Sequence, residues 1–251
     1  MKKNVISLIV CCLSFVSATA QIGEHRDEFA MGVNGGYVLS SVSFTPTVPQ
    51  KMFGGMTGGV TFRYTTEKYF SSICALVAEV NYAQIGWKED ILDLKDQPVI
   101  NQITGVVEEY ERRANYVQVP LLARLGWGRE RKGFQFFFQA GPQIGILLNE
   151  STTANYELDK RNAGARASHI VEQEKMPIEN KFDYGIAGGL GLEYSHPSVG
   201  HFLLEARYYF GLGNIYGNSK RDFFAKSNYS NIYVKVSYLF DLAKTKNNKI
   251  K

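Results

Sequence analysis

Residues 232–242 read Ile232-Tyr233-Val234-Lys235-Val236-Ser237-Tyr238-Leu239-Phe240-Asp241-Leu242. Ile232, Val234, Val236, Tyr238, Phe240 and Leu242 fall on every second position, and Lys235, Ser237 and Asp241 stand between them. A period of two sets the first group on one face of a β-strand and the second on the other. The segment is long for a globular strand, which typically has about five or six residues. It matches the roughly 9–11 residues that a tilted strand needs to cross a bilayer.

Seven further segments share this period. Phe29–Leu39 aligns Phe29, Met31, Val33, Tyr37 and Leu39. Met56–Tyr64 aligns Met56, Val60, Phe62 and Tyr64, and Phe70–Gly86 aligns Leu76, Ala78, Val80 and Tyr82. Asn115–Trp127 aligns Val117, Val119, Leu121, Ala123 and Leu125, and Phe134–Leu148 aligns Phe136, Phe138, Ala140, Ile144 and Ile146. Phe182–Tyr194 aligns Phe182, Tyr184, Ile186, Leu190 and Leu192, and Phe202–Leu212 aligns Phe202, Leu204, Ala206, Tyr208 and Phe210.

The connections alternate in length. Ser40–Gly55, Trp87–Ala114, Asn149–Lys181 and Gly213–Asn231 are long, whereas Thr65–Tyr69, Gly128–Gly133 and Ser195–His201 are short. An up-and-down meander has this rhythm when every other connection lies on the same side, as in barrels with short periplasmic turns and longer external loops. Beyond the N-terminal segment no apolar run is long enough for a membrane helix, so a spanning chain must close its strands on themselves. The expected fold is all-β: an eight-stranded antiparallel up-and-down transmembrane β-barrel with long extracellular loops and short periplasmic turns.

The polar face decides which way such a barrel points. It carries Arg63, Glu79, Arg124, Asp183, Glu193, Glu205, Arg207 and Lys235, four basic and four acidic, together with Gln118, Gln135, Gln139, Gln143 and several glycines. A solvated outer face would favour Thr, Lys and Glu with few glycines. Balanced charges beside glycines suit the narrow, side-chain-filled interior of a small barrel. These eight residues are expected to form a structural charge network inside, with Glu79 pairing Arg63 or Arg124 and Glu205 pairing Lys235. Aromatics mark the strand ends: Tyr64, Phe70, Trp127, Phe134, Tyr194, Phe202 and Phe240 near the short turns, and Trp87, Tyr116, Phe182 and Phe210 near the long loops. Two belts of this kind are expected at the two membrane interfaces.

The N-terminus reads as a secretory signal. Lys2 and Lys3 precede the apolar stretch Val5–Val16, and Ala18-Thr19-Ala20 offers small residues for cleavage after Ala20. The expected organisation is a signal peptide over 1–20, a periplasmic segment over 21–28, the barrel over 29–242 and a basic tail over 243–251. Removing the signal takes Cys11 and Cys12 with it and leaves Cys74, so no internal disulfide frames the fold. The whole chain carries +4 and shows no basic footprint for nucleic acid. Its charge is distributed by side: Trp87–Ala114 holds seven acidic and four basic residues, whereas Gly128–Gly133 holds Arg129, Arg131 and Lys132 against Glu130.

Several of these segments resemble the PorT-like family of outer-membrane β-barrel proteins. The opening strand, with its Gly-rich run through Gly32, Gly35, Gly36 and Ser40, resembles that family's first strand. Tyr116-Val117-Gln118-Val119-Pro120-Leu121-Leu122-Ala123-Arg124 and Gln139-Ala140-Gly141-Pro142-Gln143-Ile144-Gly145 resemble its most specific motifs. Asp183-Tyr184-Gly185 with Gly188-Gly189-Leu190-Gly191, and Glu205-Ala206-Arg207-Tyr208, resemble its sixth and seventh strands. The resemblance implies an outer-membrane location in Bacteroidetes-type bacteria, and for a few relatives a part in type IX secretion. Such barrels often end on an aromatic residue, whereas here Phe240 and Leu242 are followed by a Lys/Asn tail.

No catalytic cluster, phosphate loop or metal-ligand spacing stands out. The reading is a non-enzymatic barrel without cofactor. Its partners would be outer-membrane lipid or lipopolysaccharide and envelope or secretion proteins. A barrel enzyme acting at the outer leaflet would need a histidine near the external rim. His169, close to Ser168 and Glu172, is the sole external candidate, since His25 precedes the first strand and His196 and His201 sit at a short turn. A soluble lipocalin-like binder of a small apolar ligand would instead need an apolar inner face.

Overall fold

The computed structural model describes residues 23–161, 163–217 and 223–246. The proposed signal peptide and the end of the basic tail lie outside them. Among the described residues nine strands follow one another: β1 (Glu24–Thr45), β2 (Gln50–Lys51), β3 (Phe53–Tyr69), β4 (Ser72–Glu89), β5 (Tyr110–Gly128), β6 (Gly133–Ala154), β7 (Phe182–His196), β8 (Gly200–Gly211) and β9 (Lys226–Ala243). The two-residue β2 pairs only with the outer end of β4, through Gln50 and Glu89. The other eight form a ring in the order β4-β3-β1-β9-β8-β7-β6-β5, closed by antiparallel pairing of β4 with β5. Closure matters because an unpaired backbone group in hydrocarbon costs several kcal/mol, and a ring has no edge.

The strands outrun their expected bounds. β1 begins at Glu24, ahead of Phe29, and carries a bulge between His25 and Glu28. Phe70, expected to open the third strand, instead occupies the two-residue turn between β3 and β4 with φ 52° and is 84% exposed. At the far end, β1, β4, β5 and β6 run well past the last outward apolar residue. The external loops shrink accordingly to 46–52, 90–109, 155–181 and 212–225.

This extension divides the barrel into two levels of opposite polarity. At the first level Val33, Tyr37, Val80, Leu121, Ile144, Leu190 and Val236 face outward and are exposed, while Arg63, Glu79, Arg124, Glu193, Glu205, Arg207 and Lys235 are buried inside. The apolar face is therefore the outer one, and the calyx required of a soluble apolar-ligand binder is absent at this level. Beyond Tyr82 on β4 and Val117 on β5 the pattern inverts. Gln84, Lys88, Arg113 and Asn115 now point outward, and Ala83, Ile85, Trp87, Tyr110, Ala114 and Tyr116 fill the interior. Phe44, Tyr216, Phe224 and Tyr229 join them in one packed core. On β4 and β5 period-two alternation continues without a slip, and only the identity of the residues in each set changes at the membrane boundary; β6 takes up one extra residue there, at Leu148.

Trp87 and Tyr116 therefore do not belong to an interfacial belt. Both are 0% exposed and lie in the external core. Trp87 shares its parity with Glu79 and Asn81, which face inward, and Tyr116 shares that of Gln118 and Arg124. Tyr64, Trp127, Phe134, Phe182, Tyr194, Phe202, Phe210 and Phe240 do face outward.

Candidate functional site

Three polar assemblies occupy the interior and its two ends. The central one lies at membrane level. Arg207 on β8 reaches Glu79 on β4 through Nη1 at 3.0 Å and Nη2 at 2.9 Å, and Nε binds Glu205 at 2.5 Å. Lys235 Nζ adds a 2.6 Å contact to Glu79, and Gln139 donates to Glu205 at 2.7 Å. Nearer the short turns, Arg63 on β3 binds both oxygens of Glu193 on β7 at 2.8 Å, and Arg124 pairs with the same carboxylate. The expected neighbour pairs, Glu79 with Arg63 or Arg124 and Glu205 with Lys235, are replaced by pairs that cross the lumen. Asp183 stands apart, accepting from Tyr209 at 2.6 Å.

Glycines make room for these long side chains. A Cβ on Gly36 would meet the Val234 carbonyl at 2.2 Å and Lys235 Cγ at 3.0 Å, and one on Gly189 would meet Arg207 Cβ at 3.1 Å. Each glycine stands opposite the charged residue in the strand register. The Gly-rich sequence is thus the counterpart of the interior charges.

At the periplasmic end, Ser195 Oγ lies 2.8 Å from His201 Nδ1, and His201 Nε2 lies 3.0 Å from Asp241. The spacing has the outline of a Ser-His-Asp triad, and sequence order alone had paired none of the three. The arrangement lacks a base. Glu193 lies 2.6 Å from the same Nδ1, so both ring nitrogens face carboxylates and act as donors, and Ser195 Oγ donates to Glu193. Ser195 is itself buried. Arg26, Lys68 and Glu130 complete this rim, with Arg26 Nε 3.0 Å and Lys68 Nζ 2.7 Å from Glu130. Arg131 reaches the Thr245 carbonyl at 2.5 Å, which fastens the start of the tail.

The external assembly closes the other end. Arg166, from the loop 155–181, contacts Glu108 of the loop 90–109 through Nε at 3.1 Å and Nη2 at 2.7 Å. Its Nη1 meets Glu174 at 2.5 Å, and Arg161 binds the second oxygen of Glu174 at 3.0 Å. Burial pulls the Arg166 guanidinium down, but the hydrogen bonds to Glu108 and Glu174 outweigh it and hold the group above its ordinary value. Arg112 binds Glu150 at 3.2 Å and the Met176 carbonyl at 2.5 Å. Gln173, fully buried, donates to Glu89 at 2.9 Å. Burial pushes the Glu89 carboxyl up to about 7. The long loop expected over Asn149–Lys181 is thus a folded lid over the external core.

His169 is exposed on this lid and makes no side-chain hydrogen bond or ion pair among the described residues; Ser168 Oγ accepts instead from the Ile170 amide at 3.4 Å. No group of three or more His, Cys, Asp or Glu side chains suited to a metal occurs among the described residues. On the outer wall, a groove of about 650 Å³ lined by Phe62, Leu76, Ala78, Leu121 and Pro142 faces the hydrocarbon level.

A closed ring with its apolar side outward and its charges inside is the construction of a membrane-spanning β-barrel. Residues 19–217 match the family described as outer membrane protein beta-barrel domain, and the chain belongs to that family. It is a protein of the outer membrane. Solved structures similar to it include OprG from Pseudomonas aeruginosa, at 16% identity over 87% of this chain and 98% of that one, with a TM-score of 0.41. Ail from Yersinia pestis is 13% identical over 85% of this chain and 99% of that one, with a TM-score of 0.33. Neisserial surface protein A is 10% identical over 84% and 97%, with a TM-score of 0.36. No curated protein matches the chain.

Proposed function

We propose that the protein is a non-enzymatic outer-membrane anchor that presents a folded external cap to partners in the cell envelope. The supporting observation is the cap itself. Arg166 ties two external loops through Glu108 and Glu174, and the core beneath fills the lumen, so the exposed end is a platform rather than a channel mouth. His169 on the cap makes no side-chain hydrogen bond or ion pair among the described residues, and His201 at the opposite end is held between two carboxylates. Outer-membrane lipid or lipopolysaccharide would contact the collar just outside the apolar band. There Arg113 lies 5.6 Å from the Phe53 ring and Lys226 5.7 Å from the Phe210 ring, and such cations would meet anionic lipid headgroups.

The resemblance to PorT-like barrels directs the partner search to protein secretion, including type IX systems, and to envelope assembly. The experiment is photo-crosslinking in living cells from positions on the cap, such as Lys160 and Lys175, against control positions on the periplasmic turn such as Lys132. A protein captured from the cap positions and lost when Arg166→Met loosens the lid supports the reading. Capture of the same protein from the Lys132 control, or in undiminished yield from the Arg166→Met barrel, removes it.

A further inference from the structure

Among the described residues the cap contains one buried carboxylate without an ion pair, Glu89, on which Arg166 and Arg112 act only at longer range. Its other buried ions pair off: Arg166 and Arg161 with Glu108 and Glu174, and Arg112 with Glu150. Asp90 beside it is held by Lys51 at 2.9 Å. Glu89 is 7% exposed and accepts one hydrogen bond, from Gln173 to Oε1. Among the described residues no cation lies within ion-pairing distance of it, and Oε2 makes no hydrogen bond.

Glu89 lines a cavity of about 250 Å³ between the loops 46–52, 90–109 and 155–181, walled by Val48, Pro49, Ile91 and Ile170. Asp96 lies on the same cavity without an ion pair among the described residues, and the one cation lining it, Arg166, already carries two carboxylates. Exposed Asp96 and Ala167 put the cavity in reach of the external medium. Apolar walls around a carboxylate without a direct ion pair favour a ligand with a hydrocarbon body and a positive head. A buried charge without a partner is expensive, and pairing it relieves that cost. The volume lies below the roughly 300–1,000 Å³ of drug-sized sites, so the ligand is small.

The geometry points to this cavity as a binding site for a small primary alkylammonium compound, its ammonium on Glu89 and its chain against Val48, Ile91 and Ile170. The assignment is independent of any protein partner of the cap.

The test is calorimetric titration of the full chain in lipid nanodiscs at mildly alkaline pH, with empty nanodiscs as the reference. The probes are n-butylammonium, n-butanol and butanoate. Saturable butylammonium binding at least about tenfold tighter than butanol is expected, equivalent to about 1.4 kcal/mol, with no binding of butanoate. Glu89→Gln should bring butylammonium down to the butanol level while the barrel keeps its heat-modifiable mobility. Equal affinity for butanol, an unchanged Glu89→Gln affinity in a closed barrel, or no saturable binding overturns the proposal. Should Glu89→Gln fail to close, the charge series on the unsubstituted protein decides alone.

Discussion

Arg207 and Glu79 meet end to end across the full width of the lumen, two nitrogens on two oxygens at 3.0 and 2.9 Å. Their strands, β8 and β4, stand four places apart in either direction round the ring of eight. Arg63 on β3 and Glu193 on β7 are related in the same way. A pair that spans the diameter fixes the width of the barrel and fills the space through which solutes would pass. Bidentate geometry, with further contacts from Lys235 and Glu205, meets the conditions under which a buried pair holds together.

Removing one member leaves a buried charge without its main partner. Arg207→Met is expected to lower the unfolding free energy by about 3–5 kcal/mol, read from urea titrations in lipid vesicles. Adding Glu79→Gln should restore part of that loss, since the orphaned carboxylate goes too. A double variant as unstable as the sum of the two singles would show that the two residues are not coupled.

The two tryptophans report the two levels separately. Trp127 faces outward near the short turns, whereas Trp87 is 0% exposed in the external core. Brominated lipid should quench the fluorescence of Trp87→Phe, which retains Trp127. It should leave Trp127→Phe, which retains Trp87, nearly unchanged. Quenching of both would return Trp87 to the membrane interface.

Glu89 gives the cap a pH dependence. Its carboxyl rises in the folded state from the ordinary 4.5 to about 7, chiefly through burial. The folded state therefore binds more protons than the unfolded state between those values, so stability falls as pH rises through that window and is lowest above pH 7. The whole effect is about 3 kcal/mol by the usual conversion. Local hydrogen exchange in the cap should quicken over this range, and Glu89→Gln should flatten the profile. A cap that grows more stable with rising pH would contradict the assignment of the burial effect to Glu89.

The membrane-level wall was legible because it obeys two rules at once. Ile232, Val234 and Val236 alternate with Lys235 and Ser237, and the chain turns briefly on one side and at length on the other. The external level was misread because polarity inverts there while parity does not. Trp87 looks like a belt residue when its position at a strand end is considered, but its step of two from Glu79 places it inside. The charged residues stood out individually, yet their partners did not. Neighbouring strands suggest Glu79 with Arg63, whereas long side chains in a narrow lumen reach the opposite wall. Ser195, His201 and Asp241 come together because β7, β8 and β9 lie side by side, which spacing along the chain does not reveal. Glu89, Arg166 and Glu174 are brought together by loop folding, for which the sequence offers no periodic signal.

The closed ring carries every other argument, and gel mobility of outer-membrane fractions with and without boiling tests it most directly. The protein is expected to sediment with outer membranes and to migrate as a faster band unboiled than boiled, because hydrogen bonds between β4 and β5 and between β1 and β9 hold the barrel shut in detergent. A protein recovered in the soluble fraction, with one mobility under both conditions, would contradict it.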